Sequence, residues 1–319
     1  MRGWIGRWWP LFGVVAGVIG YLGWRQFHDD RIEELFAFLP ADHGLCAYLD
    51  LAAVRSSLRL AGGETIPALL DEKGRLGEHL TALSEAGVED LALSVGVHEI
   101  RAVARGAINA DEVKNYIERQ GLTCSGPQGN VVCLAESPLT RTEVRLLGGA
   151  RIEIIDRLNG GRFAPERSQA TYLAAPARAG LRGGAVVWVA LQPDRLDAAM
   201  KDPPRGMINL TLVARALRDA AIAYLVLEPN LASRSLDVRL SALAANPDLA
   251  AKTLRVVEDT SNLIAAAVDM GSGDATPNPW SQLLRTGTFT QQDATVDALW
   301  RIDSKKLPVL FPESAKKAN

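Results

Sequence analysis

The chain has 319 residues, 48% of them hydrophobic and 23% charged, with 35 basic against 37 acidic side chains and a formal charge of −2. That balance excludes a disordered chain and a polytopic membrane protein, and leaves room for about two domains of roughly 100–200 residues each. No basic cluster interleaved with aromatics occurs, so nucleic acid is not an expected partner.

Residues 8–24 contain no charged side chain, and as a helix they span about 25 Å at ~1.5 Å per residue, close to a hydrocarbon core of about 30 Å. Trp8 and Trp9 at one end, with Tyr21 and Trp24 at the other, sit where interfacial rings anchor a span. The expectation is an uncleaved transmembrane helix, with the lipid bilayer as a partner. Arg2 and Arg7 precede it, and acidic residues dilute the basic ones that follow, which places the N-terminus in the cytoplasm and the rest outside a bacterial inner membrane. Gly13, Gly17 and Gly20 offer a low-bulk strip through which the helix could meet a copy of itself or another membrane protein. Ile32, Leu35, Phe36 and Leu39 continue a helical period up to Pro40, as a stalk would.

Beyond residue 40 one pattern is read twice: strand, helices, hairpin, helix, closing strands. The first set opens on a strand at 45–50 and the second on one at 185–191. The hairpins fall at 91–108 and 222–243, and helices start from Asn109 and from Asn246-Pro247. Along 235–242, Leu236, Val238, Leu240 and Ala242 alternate with Ser235, Asp237, Arg239 and Ser241, as in a sheet with one core face and one wet face. The expected fold is α+β: after the anchor and stalk (1–40), a first module (41–160), a connector (161–184), a second similar module (185–312) and a disordered tail (313–319). Each module is an antiparallel sheet with helices on one face.

Cys124 and Cys133 flank a Ser-Gly-Pro turn between two short strands, an arrangement open to a disulfide or to two buried thiols. His43 and Cys46 form the only His/Cys pair at ligand-like spacing, short of the roughly four ligands of a structural zinc. There is no Gly-x-Ser-x-Gly elbow, and the Gly-Gly pairs precede no phosphate-binding helix. Neither a catalytic residue nor a cofactor or metal site is expected.

Leu39-Pro-Ala-Asp42, the strand ending Leu49-Asp-Leu-Ala-Ala-Val-Arg55, and Val103-Ala-Arg-Gly-Ala-Ile-Asn109 entering a helix carry a resemblance. By them the chain resembles uncharacterised bacterial cell-envelope proteins with an N-terminal membrane anchor and a duplicated α+β region. The resemblance implies no catalytic residues. The expected function is a non-enzymatic accessory or scaffold subunit of a membrane complex; the alternative is a periplasmic module holding a lipid, peptide or small ligand between the two modules.

Overall fold

The computed structural model describes residues 32–53, 82–158, 185–195, 216–272 and 278–303, less 33, 41–42, 97, 128, 138–139, 149, 231–232 and 234. Its frame is one antiparallel sheet of twelve strands. They are β1 (Leu45–Asp50), β2 (Val88–Val95), β3 (Glu99–Gly106), β4 (Thr123–Ser125), β5 (Asn130–Glu136), β6 (Thr140–Leu147), β7 (Arg151–Leu158), β8 (Val187–Leu191), β9 (Ala220–Asn230), β10 (Ser235–Ala244), β11 (Thr288–Gln292) and β12 (Thr295–Asp303). Across the sheet they run β11-β12-β10-β9-β8-β1-β2-β3-β7-β6-β5-β4.

The expectation of two separate modules is therefore corrected. β1 pairs with β8 edge to edge, from Leu45 opposite Leu191 to Leu49 opposite Val187. Further backbone bonds, Asp50 N–H to Val186 O at 2.9 Å and Gln192 N–H to Gly44 O at 2.8 Å, extend the seam at both ends. Two modules would each have left a strand edge with a row of unpaired backbone donors and acceptors; joining β1 to β8 satisfies both rows. The halves are arms of a single sheet, not duplicated modules.

Three helices are described: α1 (Ala110–Arg119), α2 (Pro247–Ser272) and α3 (Pro279–Arg285). Asn109 caps α1 by accepting from the Glu112 N–H, and Asn246 accepts from the Leu249 N–H at 2.9 Å at the start of α2, where Pro247 needs no N–H partner. α1 buries Val113 and Ile117 on the back of the β2–β7 arm, beside Ile152, Val144 and Cys133. α2 buries Ala250 and Val257 on the back of the β9–β12 arm, against Ala242, Val296 and Ala298.

The front of the sheet is apolar only at its centre, where the register gathers Tyr48, Ala92, Val103, Trp188, Tyr224 and Val226. Ile32, Leu35, Phe36 and Leu39, in and just after the helical residues 34–36, cover this strip and are themselves at most 2% exposed. The Phe36 ring meets Trp188 edge-on at 5.4 Å.

A single-pass transmembrane helix was the other structural expectation, and it too is corrected: among the described residues no helix is long and apolar enough to cross a membrane. α2 has 26 residues but carries Asp248, Lys252, Arg255, Glu258, Asp259 and Asp269. The 8–24 stretch, with Trp8, Trp9, Gly13, Gly17, Gly20, Tyr21 and Trp24, lies outside the described residues.

Candidate functional site

The residues singled out for chemistry fall in different places. Cys124 and Cys133 stand directly opposite each other on β4 and β5 and are joined by a disulfide, with their Cα atoms 3.9 Å apart. Cys46 is a free, fully buried thiol, and burial pushes its pKa well above the ordinary value, so it is a poor nucleophile. His43 is buried as well, and its Nδ1 lies 2.8 Å from Ser94 Oγ; Gly96, lacking a side chain, leaves room for the ring. A second buried polar pair, Tyr48 O–H donating to Asp90 Oδ1 at 2.7 Å, sits four residues from Ser94 along β2. At about 3.3 Å per residue the two pairs are some 13 Å apart, too far to act as one relay. No group of three or more His, Cys, Asp or Glu side chains able to hold a metal occurs among the described residues. His98 is exposed, while His28 and His79 lie outside the described residues.

A different set of residues makes the better site. Beside the strip covered by residues 32–39, the front of the β9–β12 arm holds a pocket of about 550 Å³, within the range that small ligands occupy. Trp188, Tyr224, Val226 and Leu243 supply its apolar wall, and Glu228, Arg239, Ser241, Thr295 and Asp297 its polar one. The register explains the grouping. Trp188 faces Val226, which faces Arg239, and Tyr224 faces Ser241, which faces Asp297, so alternate residues of four strands converge on one surface.

Two polar atoms in this wall are buried and have no hydrogen-bond partner: Trp188 Nε1 and Tyr224 Oη. Their rings lie 6.1 Å apart. The indole N–H can only donate, and burial raises the Tyr224 pKa, so its phenol keeps its proton at neutral pH and can donate too. Leaving two such donors unmet costs about 1–3 kcal/mol each, a cost that an acceptor brought by a ligand would remove. The polar residues, by contrast, are mutually engaged: Arg239 Nη2 lies 3.2 Å from Glu228 Oε1, and Ser241 donates to Asp297. The pocket thus combines an aromatic floor, two waiting donors and a rim whose polar side chains are engaged with one another.

Sequence reasoning read Trp188 and Tyr224 only as strand residues. The one available signal was a tryptophan and a tyrosine in strands whose neighbours are small and aliphatic, which implies a polar tip carried into a core.

No family model and no curated protein matches the chain. Among solved structures, crystal forms I, III and IV of TP0453 are similar to it at 10, 10 and 9% identity, with TM-scores of 0.46, 0.41 and 0.40. The alignments cover 87, 87 and 88% of this chain and 98, 98 and 97% of those chains, and no residue here takes a role from them.

Proposed function

We propose that the chain is a non-enzymatic binding protein whose front pocket, floored by Trp188 and Tyr224, takes a small amphipathic ligand with an apolar body and a hydrogen-bond acceptor at its head. The observation that carries the reading is the pair of buried donors without partners in one apolar pocket. The ligand site lies within one arm, where alternate residues of adjacent strands converge, and not between two modules. The Cys124–Cys133 disulfide favours an oxidising compartment, in keeping with a place in the cell envelope.

The test is titration of the full chain with decanol and with decanoate, followed by calorimetry and tryptophan fluorescence. Saturable binding of at least one is expected, weakened roughly fivefold or more in Tyr224→Phe, which keeps the ring and removes the donor. If neither compound binds saturably, or if Tyr224→Phe binds as the parent does, the reading is wrong.

A second reading, an accessory subunit that docks on a protein partner, is favoured by one observation: Leu263 and Met270 stand 69% and 78% exposed on α2, beside Ile264 at 39%. Leu263→Lys with Met270→Lys would leave decanol binding intact and abolish such docking, so co-purification of parent and variant separates the two readings.

A further inference from the structure

On the other arm the front face is built from charge. β3, β6 and β7 present arginine and glutamate at alternate positions, and the register sets Glu99 opposite Arg157, Arg101 opposite Ile155, Glu153 opposite Arg145, and Ile155 opposite Glu143. Glu99 accepts from Nε of Arg101 and, at 2.9 Å, from Nε of Arg157, so both of its oxygens are engaged. Glu143 accepts from Arg145 Nε at 2.5 Å, and Glu153 lies 3.2 Å from Arg151 Nε and 4.0 Å from Arg145 Nη1. Four guanidinium groups (Arg101, Arg145, Arg151, Arg157) thus mesh with three carboxylates (Glu99, Glu143, Glu153), and Glu99 and Glu153 are each shared between two arginines.

This mesh borders a cleft of about 540 Å³ whose lining includes Arg101, Arg145, Arg151, Glu143, Glu153 and Phe38, the two glutamates being engaged by Arg145 and Arg151. Arg101 is only 6% exposed, and its Nη2 is buried without a hydrogen-bond partner. Arg151 is held over the Phe38 ring at 4.2 Å, so its guanidinium is placed at the cleft by stacking as well as by charge. A buried guanidinium with an unused N–H, beside a second guanidinium held by stacking at the same open cleft, is the arrangement that an oxyanion completes.

We propose that this cleft binds an anionic group, a phosphate or phosphate ester, through Arg101 and Arg151. The site is separate from the pocket over Trp188 and Tyr224, and the inference does not rest on the reading of that pocket.

The experiment uses the full chain, with inorganic phosphate titrated against sodium chloride at equal ionic strength, read by calorimetry and thermal shift. Phosphate is expected to bind and to raise the unfolding temperature where chloride does not. Arg101→Lys, which keeps a charge beside Glu99 but loses the planar fork, should weaken binding about tenfold, as the loss of one charge-assisted hydrogen bond predicts. Should that variant not fold, Arg151→Gln, on the cleft wall, is expected to weaken phosphate by a similar factor. Sedimentation with vesicles of phosphatidylglycerol, compared with free glycerol phosphate, distinguishes a lipid headgroup from a soluble ester; Arg101-dependent binding of either supports the site. Equal responses to phosphate and chloride, or full binding by both variants, overturn it.

Discussion

The two arms of the sheet share a seam and are finished by opposite means. The β9–β12 arm is backed by the 26-residue α2 with α3 beside it, and its front carries an aromatic pocket. The β2–β7 arm, which runs β2-β3-β7-β6-β5-β4 away from the seam, is backed by the ten-residue α1 and closed by a disulfide, and its front is a mesh of arginine–glutamate pairs. Both backs are apolar cores, one under the long α2 and the other around α1, Leu51 and Ala86. The fronts differ, and the second arm adds a covalent link and charge pairing. One front offers a ligand apolar space, and the other an arginine with an unused donor.

The strongest way to break this comparison is at the seam. Trp188 touches Phe36 from the covering segment and Tyr224 on β9, and it stands opposite Tyr48 on β1. Trp188→Ala should cost about 3–5 kcal/mol, as truncation of a fully buried aromatic does. Urea denaturation followed by probes on each arm should show one shared, lowered midpoint; if only the β9–β12 arm melts early, the arms are independent units. Replacing Cys124 and Cys133 together by serine should cost about 2–3 kcal/mol for a loop this short. Hydrogen exchange should then rise in β4 and β5 and leave β9 to β12 unchanged, which sharpens the claim that the bridge serves one arm.

The smallest expected effect is on pH. Burial alone would raise the Asp237 pKa, but hydrogen bonds from Arg301, Asn230 and Ser235, and the charge of Arg301, outweigh it and bring the carboxyl below its ordinary value. A depressed folded pKa stabilises the fold above the unfolded value, about 3.9. That contribution fades as the pH falls from there through the lower folded value. Asp237→Asn should flatten the loss of stability as the pH falls below about 4 at the β10–β12 pairing; an unchanged acid profile would show that Asp237 contributes nothing there.

Much of the local structure was readable because it obeys short-range rules. Strand alternation outlines β1, the β2–β3 and β9–β10 hairpins and β12, and the caps at Asn109 and Asn246-Pro247 mark where α1 and α2 begin. What could not be read is pairing between distant strands. β1 and β8 lie some 140 positions apart, and nothing in either strand names the other as its neighbour, so two sheets were expected where one exists. The rule that polar alternate residues face water also misled. Ser235 and Asp237, read as a wet face, are buried because Arg301 reaches across from β12 to Asp237. Glu99 and Arg101 are buried for the same reason, each being the other's partner. Both candidate sites sit where that rule fails, since each depends on which polar groups remain unpaired after the strands align. α3 went unread although Asn278-Pro279 is a helix start of the same kind as Asn246-Pro247; its seven residues are too few to show a period.

The β1–β8 seam also governs what kinds of motion are open to the molecule. Antiparallel ladder bonds run without a break from one arm to the other, so the arms have no hinge about which to swing. Bending the sheet there would strip backbone pairs from its most central strands. The molecule behaves as a stiff spar, not as a clamp. A ligand arriving at either front face must be admitted by side-chain rotation and small movements at the rim, and its entry and exit should run on the nanosecond-to-microsecond scale of such motions, with no slower closure of one half upon the other.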